Sequence, residues 1–416
     1  MKFSARLYAL ALLFGTLCAG NAMALDCGMN TGQPAMGKPI MIGGIFGDAP
    51  PGNWSASTQA AAAYFACVNA NGGINGRPVK YIAENDQWNP EAAVQAAAKL
   101  VNDDKVVAMV ASGSFIEMAV NGKAYQQAGI MSMASACAIS ECFDNPNIVS
   151  TNQGPLPSIL GAVMYAREEL GAKNIACIAT AIPNSGNWSC DEAIRYIESY
   201  GGKGTMIPVS PISPDFSSAV LEAMATGADT MVLNMPGSLA VPVLAAAKDQ
   251  DIRDQYKWVS STPLYDLSIP AAIGEYWAGH IFVNAELTPL SENGPDAQNW
   301  IAVLDKFGRP EDKRDTFSQA GYLSARFFVK AALEMKPQDL DDRAKVTSAI
   351  KAIKGYRSDL MCGPYYVGDA NFHMPNHAGY MVKIVKDGFE VVRGCYEYDS
   401  KYFDPMRKIE TEMGLR

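Results

Sequence analysis

The sequence predicts an α/β protein built on parallel sheets covered by helices on both faces, and three observations carry that reading. Short apolar runs alternate regularly with Ala-rich helical stretches from Lys38 onward. The alternation comes in two successive series, followed by long helical stretches and a tail rich in Gly, Pro and aromatic residues. The run Val106–Val110 passes straight into a small-residue turn, Ala111-Ser112-Gly113-Ser114, before a helical stretch from Phe115 to Ala128. Turns of this kind present backbone N–H groups and hydroxyls beyond the carboxyl ends of parallel strands, where ligands of open sheets bind.

The first 24 residues read as an export signal: Lys2 and Arg6, an apolar run from Leu7 to Leu17, and an A-x-A cleavage site at Ala22-Met23-Ala24. The apolar run is short of the ~20 residues that span a bilayer. Cleavage near Ala24 places the mature chain in the periplasm. Of 416 residues about 390 then remain, which favours two domains over one. The formal charge is −9, and −11 without Lys2 and Arg6, which argues against nucleic acid as a partner.

Strand Pro39–Phe46 opens the first series and a turn-rich loop, Gly47–Asn53, follows. Ser55 or Ser57 can cap the helix Thr58–Asn71, which ends at Gly72-Gly73. After strand Val79–Glu84, Asn89-Pro90-Glu91 supplies a cap, a proline and an acid for a helix running to about Asn102. Strand Val106–Val110, helix Phe115–Ala128 and strand Ile130–Ala134 complete the series. The second comprises helix Pro157–Leu170, strand Asn174–Thr180, helix Trp188–Tyr200, strand Thr205–Val209, helix Asp215–Thr226, strand Thr230–Asn234, helix Ser238–Lys248 and strands Lys257–Ser261 and His280–Val283. Helices Asp296–Phe307, Asp315–Lys336 and Leu340–Ile353 precede a β-hairpin region, Gly363–Tyr398.

Without Cys18 of the signal, eight cysteines remain, an even number that in an exported chain implies disulfides. Sequence leaves the pairing open; local partners are Cys27 with Cys67, Cys137 with Cys142, Cys177 with Cys190, and Cys362 with Cys395. The set lacks the paired C-x₂-C knuckles of a zinc site. His373 and His377 have H-x₃-H spacing, but Pro375 interrupts any helix that would align them. The reading is therefore no metal and no cofactor. Nucleotide-binding glycine loops and a nucleophile elbow are absent from the sequence.

Asn69–Gly76 (NANGGING) with Arg77-Pro78-Val79 resembles the signature of type I periplasmic binding proteins, the leucine/isoleucine/valine-binding family of ABC importers. The match continues through Asn85-Asp86, Asn89–Ala92, Lys99–Val101, Val106–Val110, Gln127–Ile130, Leu170–Lys173, Asp215–Ser217 and Gly227–Asp229, in order from about Lys38 to Gly388. The resemblance implies two Rossmann-like lobes joined by three crossovers, with a ligand cleft between them and closure by hinge motion. Lobe one would be Leu25–Val149 plus Asn284–Tyr356, and lobe two Ser150–Val283 plus 357–416.

The resemblance also implies site residues. Trp54 would pack on the apolar part of the ligand. Ser112, Gly113 and Ser114 would receive a ligand carboxylate, with Ala134, Ser135 and Ala136 as the second such position, although one donor the family often has is missing at Ala136. Asn184 and Ser185 stand where the family commonly has a Tyr before Gly, with Trp188 as a substitute apolar wall. Pro236 and Gly237 form the next turn. Amino-acid binders place an acid after the strand matching Lys257–Ser261; the nearest here is Asp266, with Tyr265 beside it. Gln319, Trp88 and Phe115 are further candidates. The expectation is a monomeric, non-enzymatic solute-binding protein that delivers a small carboxylate (an amino acid, or an aromatic or apolar acid) to a membrane permease. The alternatives are an exported amidase-like enzyme and a ligand-sensing receptor partner.

Overall fold

The computed structural model describes residues 25–49, 52–367, 374 and 376–416. The export signal, His373 and Pro375 lie outside them. Among the described residues twelve strands fall into two large sheets, and a two-stranded ribbon, Asp48–Ala49 with Gly52–Asn53, stands apart. The first is all parallel, in the spatial order Val79–Asn85, Ile40–Phe46, Ala108–Val110, Ser132–Ala134, Ile148–Ser150. In the second, Lys203–Val209, Asn174–Thr180, Thr230–Asn234, Lys257–Ser260 and Ile281–Ala285 are parallel, and the hairpin Ala378–Val385 and Gly388–Glu397 adds two antiparallel strands at the edge.

The central strands are buried on both faces, which is why their sequences read as unbroken apolar runs rather than alternating ones. The chain crosses between the halves three times. Residues 151–154 lead from strand Ile148–Ser150 to helix Pro155–Glu169. Residues 286–294 lead from strand Ile281–Ala285 to helix Pro295–Phe307. The third passage runs from helix Arg343–Lys351 to strand Ala378–Val385, partly outside the described residues. The fold is the expected pair of α/β lobes.

Local chemistry sets the element ends. Asn89 caps helix Pro90–Ala98 by accepting the Ala92 N–H at 2.8 Å. Ser114 caps helix Phe115–Ala128, which stops at Gly129 in the left-handed region. Ser55 occupies the cap position of helix Ala56–Ala70, but its hydroxyl bonds Asn53 Oδ1 at 2.6 Å instead of a helix amide. Several short elements have no counterpart in the expected series: strand Ile148–Ser150, helices Glu141–Asp144 and Ile269–Ile273, the ribbon Asp48–Ala49 with Gly52–Asn53, and the C-terminal helix Asp404–Glu412. The helix expected from Leu340 begins as a tight turn, Pro337–Asp341, and becomes α-helical only at Arg343. All four local cysteine pairs are disulfide-bonded.

Beneath the first sheet, helix Thr316–Leu333 crosses helix Ala56–Ala70 at Gly321, where a Cβ would come 2.0 Å from the Ser57 carbonyl oxygen. Ala is favoured over Gly within a helix by about 1 kcal/mol. Overpacking against backbone costs about 1–3 kcal/mol, so the clash decides the sign. Gly321→Ala is expected to lower stability by ~1–2 kcal/mol in urea denaturation; a gain would show that the two helices slide freely.

Candidate functional site

The turn Ala111–Ser114 supports the site from below. Ser112 Oγ accepts the Ile45 N–H at 3.2 Å and lies 3.4 Å from Glu117 Oε1. Ser114 Oγ accepts the Glu117 N–H at 3.2 Å and bonds to Asp86 Oδ2. Ser135 Oγ donates to the Ala111 and Ser112 carbonyls at 3.1 and 3.0 Å. All three serines are fully buried, and their hydroxyls are engaged by the protein itself. Gly113 matters through its missing side chain: a Cβ there would lie 2.9 Å from the Trp54 carbonyl oxygen and 2.6 Å from Ser57 Oγ. The bare turn thereby lets the loop carrying Trp54 lie directly against the strand end.

Trp54 belongs to an aromatic group. It meets Trp88 edge-on at 5.0 Å and Phe115 at 5.6 Å, and stacks on Phe317 at 5.4 Å, while Trp88 stacks on Phe115 at 4.9 Å. The Trp88 indole N–H donates to the Ala49 and Gly52 carbonyls at 2.9 and 2.8 Å, which pins the loop. Trp88 has φ +58°, a conformation that bulky side chains adopt only where their surroundings impose it.

These rings form one wall of a crevice. The other half supplies Pro155, Thr180, Ile182, Ser185, Met235, Pro236, Leu239 and Pro263. The free space is about 130 Å³, close to the ~150 Å³ apolar cavity that holds one benzene. Thr180 Oγ1 is buried in this wall with no hydrogen-bond partner. A second chamber of about 50 Å³ adjoins the first, sharing Trp54, Ala138, Pro155 and Pro263 with it, and is lined also by Ala136, Thr262, Phe317 and Glu286.

Of the residues singled out in the sequence, Trp54, Ser185 and Pro236 line the larger chamber, with Trp88 and Phe115, and Ala136 lines the smaller. The others sit elsewhere. The Asn184 amide donates to both Glu141 carboxylate oxygens at 2.7 Å. Trp188 packs on Phe143 at 6.0 Å. Gly237 abuts Ile269, and Ala134 is a strand residue whose carbonyl accepts the Thr151 N–H. Tyr265 Oη accepts the Leu290 N–H at 2.7 Å, and burial pushes its phenol up to about 12. Asp266 turns back to Ser268, accepting its N–H at 2.8 Å and its hydroxyl at 2.6 Å. Gln319 donates to the Thr288 carbonyl at 3.1 Å.

Glu286, which the sequence reading did not single out, follows directly on strand Ile281–Ala285, two residues longer than the expected end at Val283. Its Oε2 accepts the Gly154 N–H at 3.2 Å and the Gln153 N–H, at the start of helix Pro155–Glu169. Burial nevertheless pushes its carboxyl up to about 7, against the opposing pull of the amides and the Asn152 and Thr262 side chains. Below the aromatic wall, burial likewise raises Glu117 to about 8 and shifts Asp86 upward.

A third group of acids lies by the C-terminal helix, where ligand atoms of His377, Glu397 and Glu410 approach within 4.8 Å of one another. His377 Nε2 is 2.7 Å from Glu410, and Arg416 Nε donates to the same carboxylate at 2.7 Å. Arg416 also pairs with Glu397, and Arg407 approaches it at 3.9 Å. The cluster is an ion-pair network that ties the tail to the hairpin.

Two α/β halves thus flank an apolar crevice near their strand ends, the arrangement of a two-lobed binding fold. The chain belongs to the periplasmic binding protein family, whose profile matches residues 39–389. An amino acid binding protein of Pseudomonas aeruginosa is 24% identical over 287 residues, covering 67% of this chain and 72% of that one. Among solved structures, a possible leucine/isoleucine/valine-binding protein from Rhodopirellula baltica superposes with a TM-score of 0.75 at 13% identity, covering 86% of this chain and 98% of that one. A solute-binding protein of an ABC transporter from R. palustris, in complex with 4-hydroxybenzoate, gives 0.72 at 18% identity, covering 88% and 99%. These structural likenesses show the fold. No helix among the described residues is long and apolar enough to cross a membrane.

Both raised carboxyls hold protons in the fold that they release on unfolding. The stability they contribute is full below about pH 4.5 and is lost as pH rises through about 7 for Glu286 and about 8 for Glu117. The melting temperature is therefore expected to fall between pH 5 and 9, and Glu117→Gln to flatten that fall, each unit of displacement being worth about 1.4 kcal/mol. An unchanged slope in the variant would contradict the assignment.

Proposed function

We propose that the chain is an exported binding protein that captures a small, largely apolar, ring-sized solute and presents it to a membrane permease of an ABC importer. The observation that carries the reading is the crevice: its walls come from both halves, and it is aromatic on one side and rich in proline and aliphatic groups on the other. No bond is made or broken in this role. Closure about the three crossovers buries the solute, and the closed form is what the permease meets. The family profile and the export signal in the sequence support the periplasm as the place of action.

The resemblance gives the solute a carboxylate, and the 4-hydroxybenzoate complex of the R. palustris protein is consistent with an aromatic acid. In this crevice the serine hydroxyls assigned to that group are engaged by the protein, and its described lining contains no Lys, Arg or His. The proposal therefore rests on size and apolarity, and the ligand panel spans acids, amines and neutral compounds.

Thermal-shift screening of the mature chain is expected to return ring-bearing compounds ahead of aliphatic amino acids, with about 2.7 kcal/mol of stabilisation at 100 times Kd. Trp54→Ala is expected to weaken the best hit about 30-fold by titration calorimetry, the ~2 kcal/mol of an aromatic anchor. A hit whose affinity survives the substitution binds outside the crevice.

A further inference from the structure

One ionisable side chain that is not in a disulfide lines the two chambers among the described residues, and it is acidic: Glu286. Its neighbouring hydroxyls also bond within the protein. Ser158 and Thr262 bond each other at 2.8 Å, and Thr262 Oγ1 donates to the Asn284 carbonyl at 2.9 Å. Burial outweighs the donors around the Glu286 carboxylate, so a positive charge placed beside it favours its ionised form. Beside it stand the stacked rings of Trp54 and Phe317, whose negative faces attract cations. An anion entering this chamber meets a carboxylate and no counter-charge. A cation meets both a carboxylate and aromatic faces. The small chamber has the volume of an ammonium-sized head, and the larger one that of a ring.

Resting on the reading of the crevice as the solute site, we propose that the solute carries a protonated amine, held by Glu286 beside Trp54 and Phe317, and that it needs no carboxylate. Binding is then by charge complementarity at one end and apolar burial at the other. Asp266, the acid nearest in sequence to the family position, plays no part, since its carboxylate is turned to Ser268.

The test compares benzylamine, benzyl alcohol and benzoate on the purified mature protein at pH 8 by titration calorimetry. Benzylamine is expected to bind at least tenfold more tightly than benzyl alcohol, and benzoate most weakly. In Glu286→Gln, benzylamine affinity should fall at least tenfold while that of benzyl alcohol is unchanged. Benzoate binding as tightly as benzylamine to the native protein overturns the inference and leaves the crevice reading intact. So does a natively folded Glu286→Gln that keeps the amine preference. The native comparison stands without any variant, should Glu286→Gln fail to fold. Absence of saturable binding by all three compounds removes the crevice reading and the inference together.

Discussion

All three crossovers meet at Glu286. Its side chain, from the second crossover, accepts amide hydrogens of Gln153 and Gly154 in the first, and its carbonyl accepts the Asn376 amide, from the third, at 3.0 Å. Around this point Gln153, Asn284 and Tyr398 close a buried belt, with Tyr398 Oη 2.9 Å from Gln153 Oε1 and from the Asn284 amide nitrogen. Buried polar groups must be paired or they cost about 1–3 kcal/mol each. These bonds pair the buried polar groups of all three crossovers with one another. Hinge rotation about such a node changes the dihedrals of a few residues and leaves both packed cores as they are.

The small-residue turn does its work as a spacer. Its Ser112 hydroxyl accepts the Ile45 N–H at the end of the neighbouring strand, its Ser114 hydroxyl caps the following helix, and its glycine admits the loop that carries Trp54. The aromatic wall in turn stands over buried hydrogen bonds that run from Asp86 through the Ser114 hydroxyl to the Glu117 backbone N–H, and from the Glu117 carboxyl to Tyr125. Because Trp88 donates its own N–H to Asp86 at 3.0 Å, the strained backbone at Trp88 is held by the same network. The wall is thus held by the protein's own contacts, the kind of preorganisation that lowers the ordering cost of the proposed binding.

Much of the fold was legible because it is written in local patterns. Strands Asn174–Thr180 and Thr230–Asn234 and helix Phe115–Ala128 were read to the residue, from apolar runs bounded by caps and turns. Strand Ile148–Ser150 was not, because three residues carry no period, and its place in the sheet comes from pairing with Ser132–Ala134. The site was legible only in part. Trp54 announced itself as a large aromatic in a loop. The serines looked like receptors because hydroxyl-rich turns can serve a ligand or the backbone equally well, and only the partners tell which. Glu286 had no local signal: its role arises from residues 133 and 132 positions away, Gln153 and Gly154.

A single carboxylate that both joins the crossovers and lines the crevice links solute charge to hinge geometry. Ionised, it strengthens the bonds it accepts from Gln153 and Gly154; protonated, it accepts them more weakly. Whatever in the smaller chamber favours the ionised form therefore also tightens the contact between the first and second crossovers. A ligand shifts an equilibrium only by its differential affinity for the two states, and here the differential has a physical source. The ring-sized chamber draws its walls from both halves. On the proposed reading, burial of a ring in the larger chamber and compensation of Glu286 in the smaller one act in the same direction.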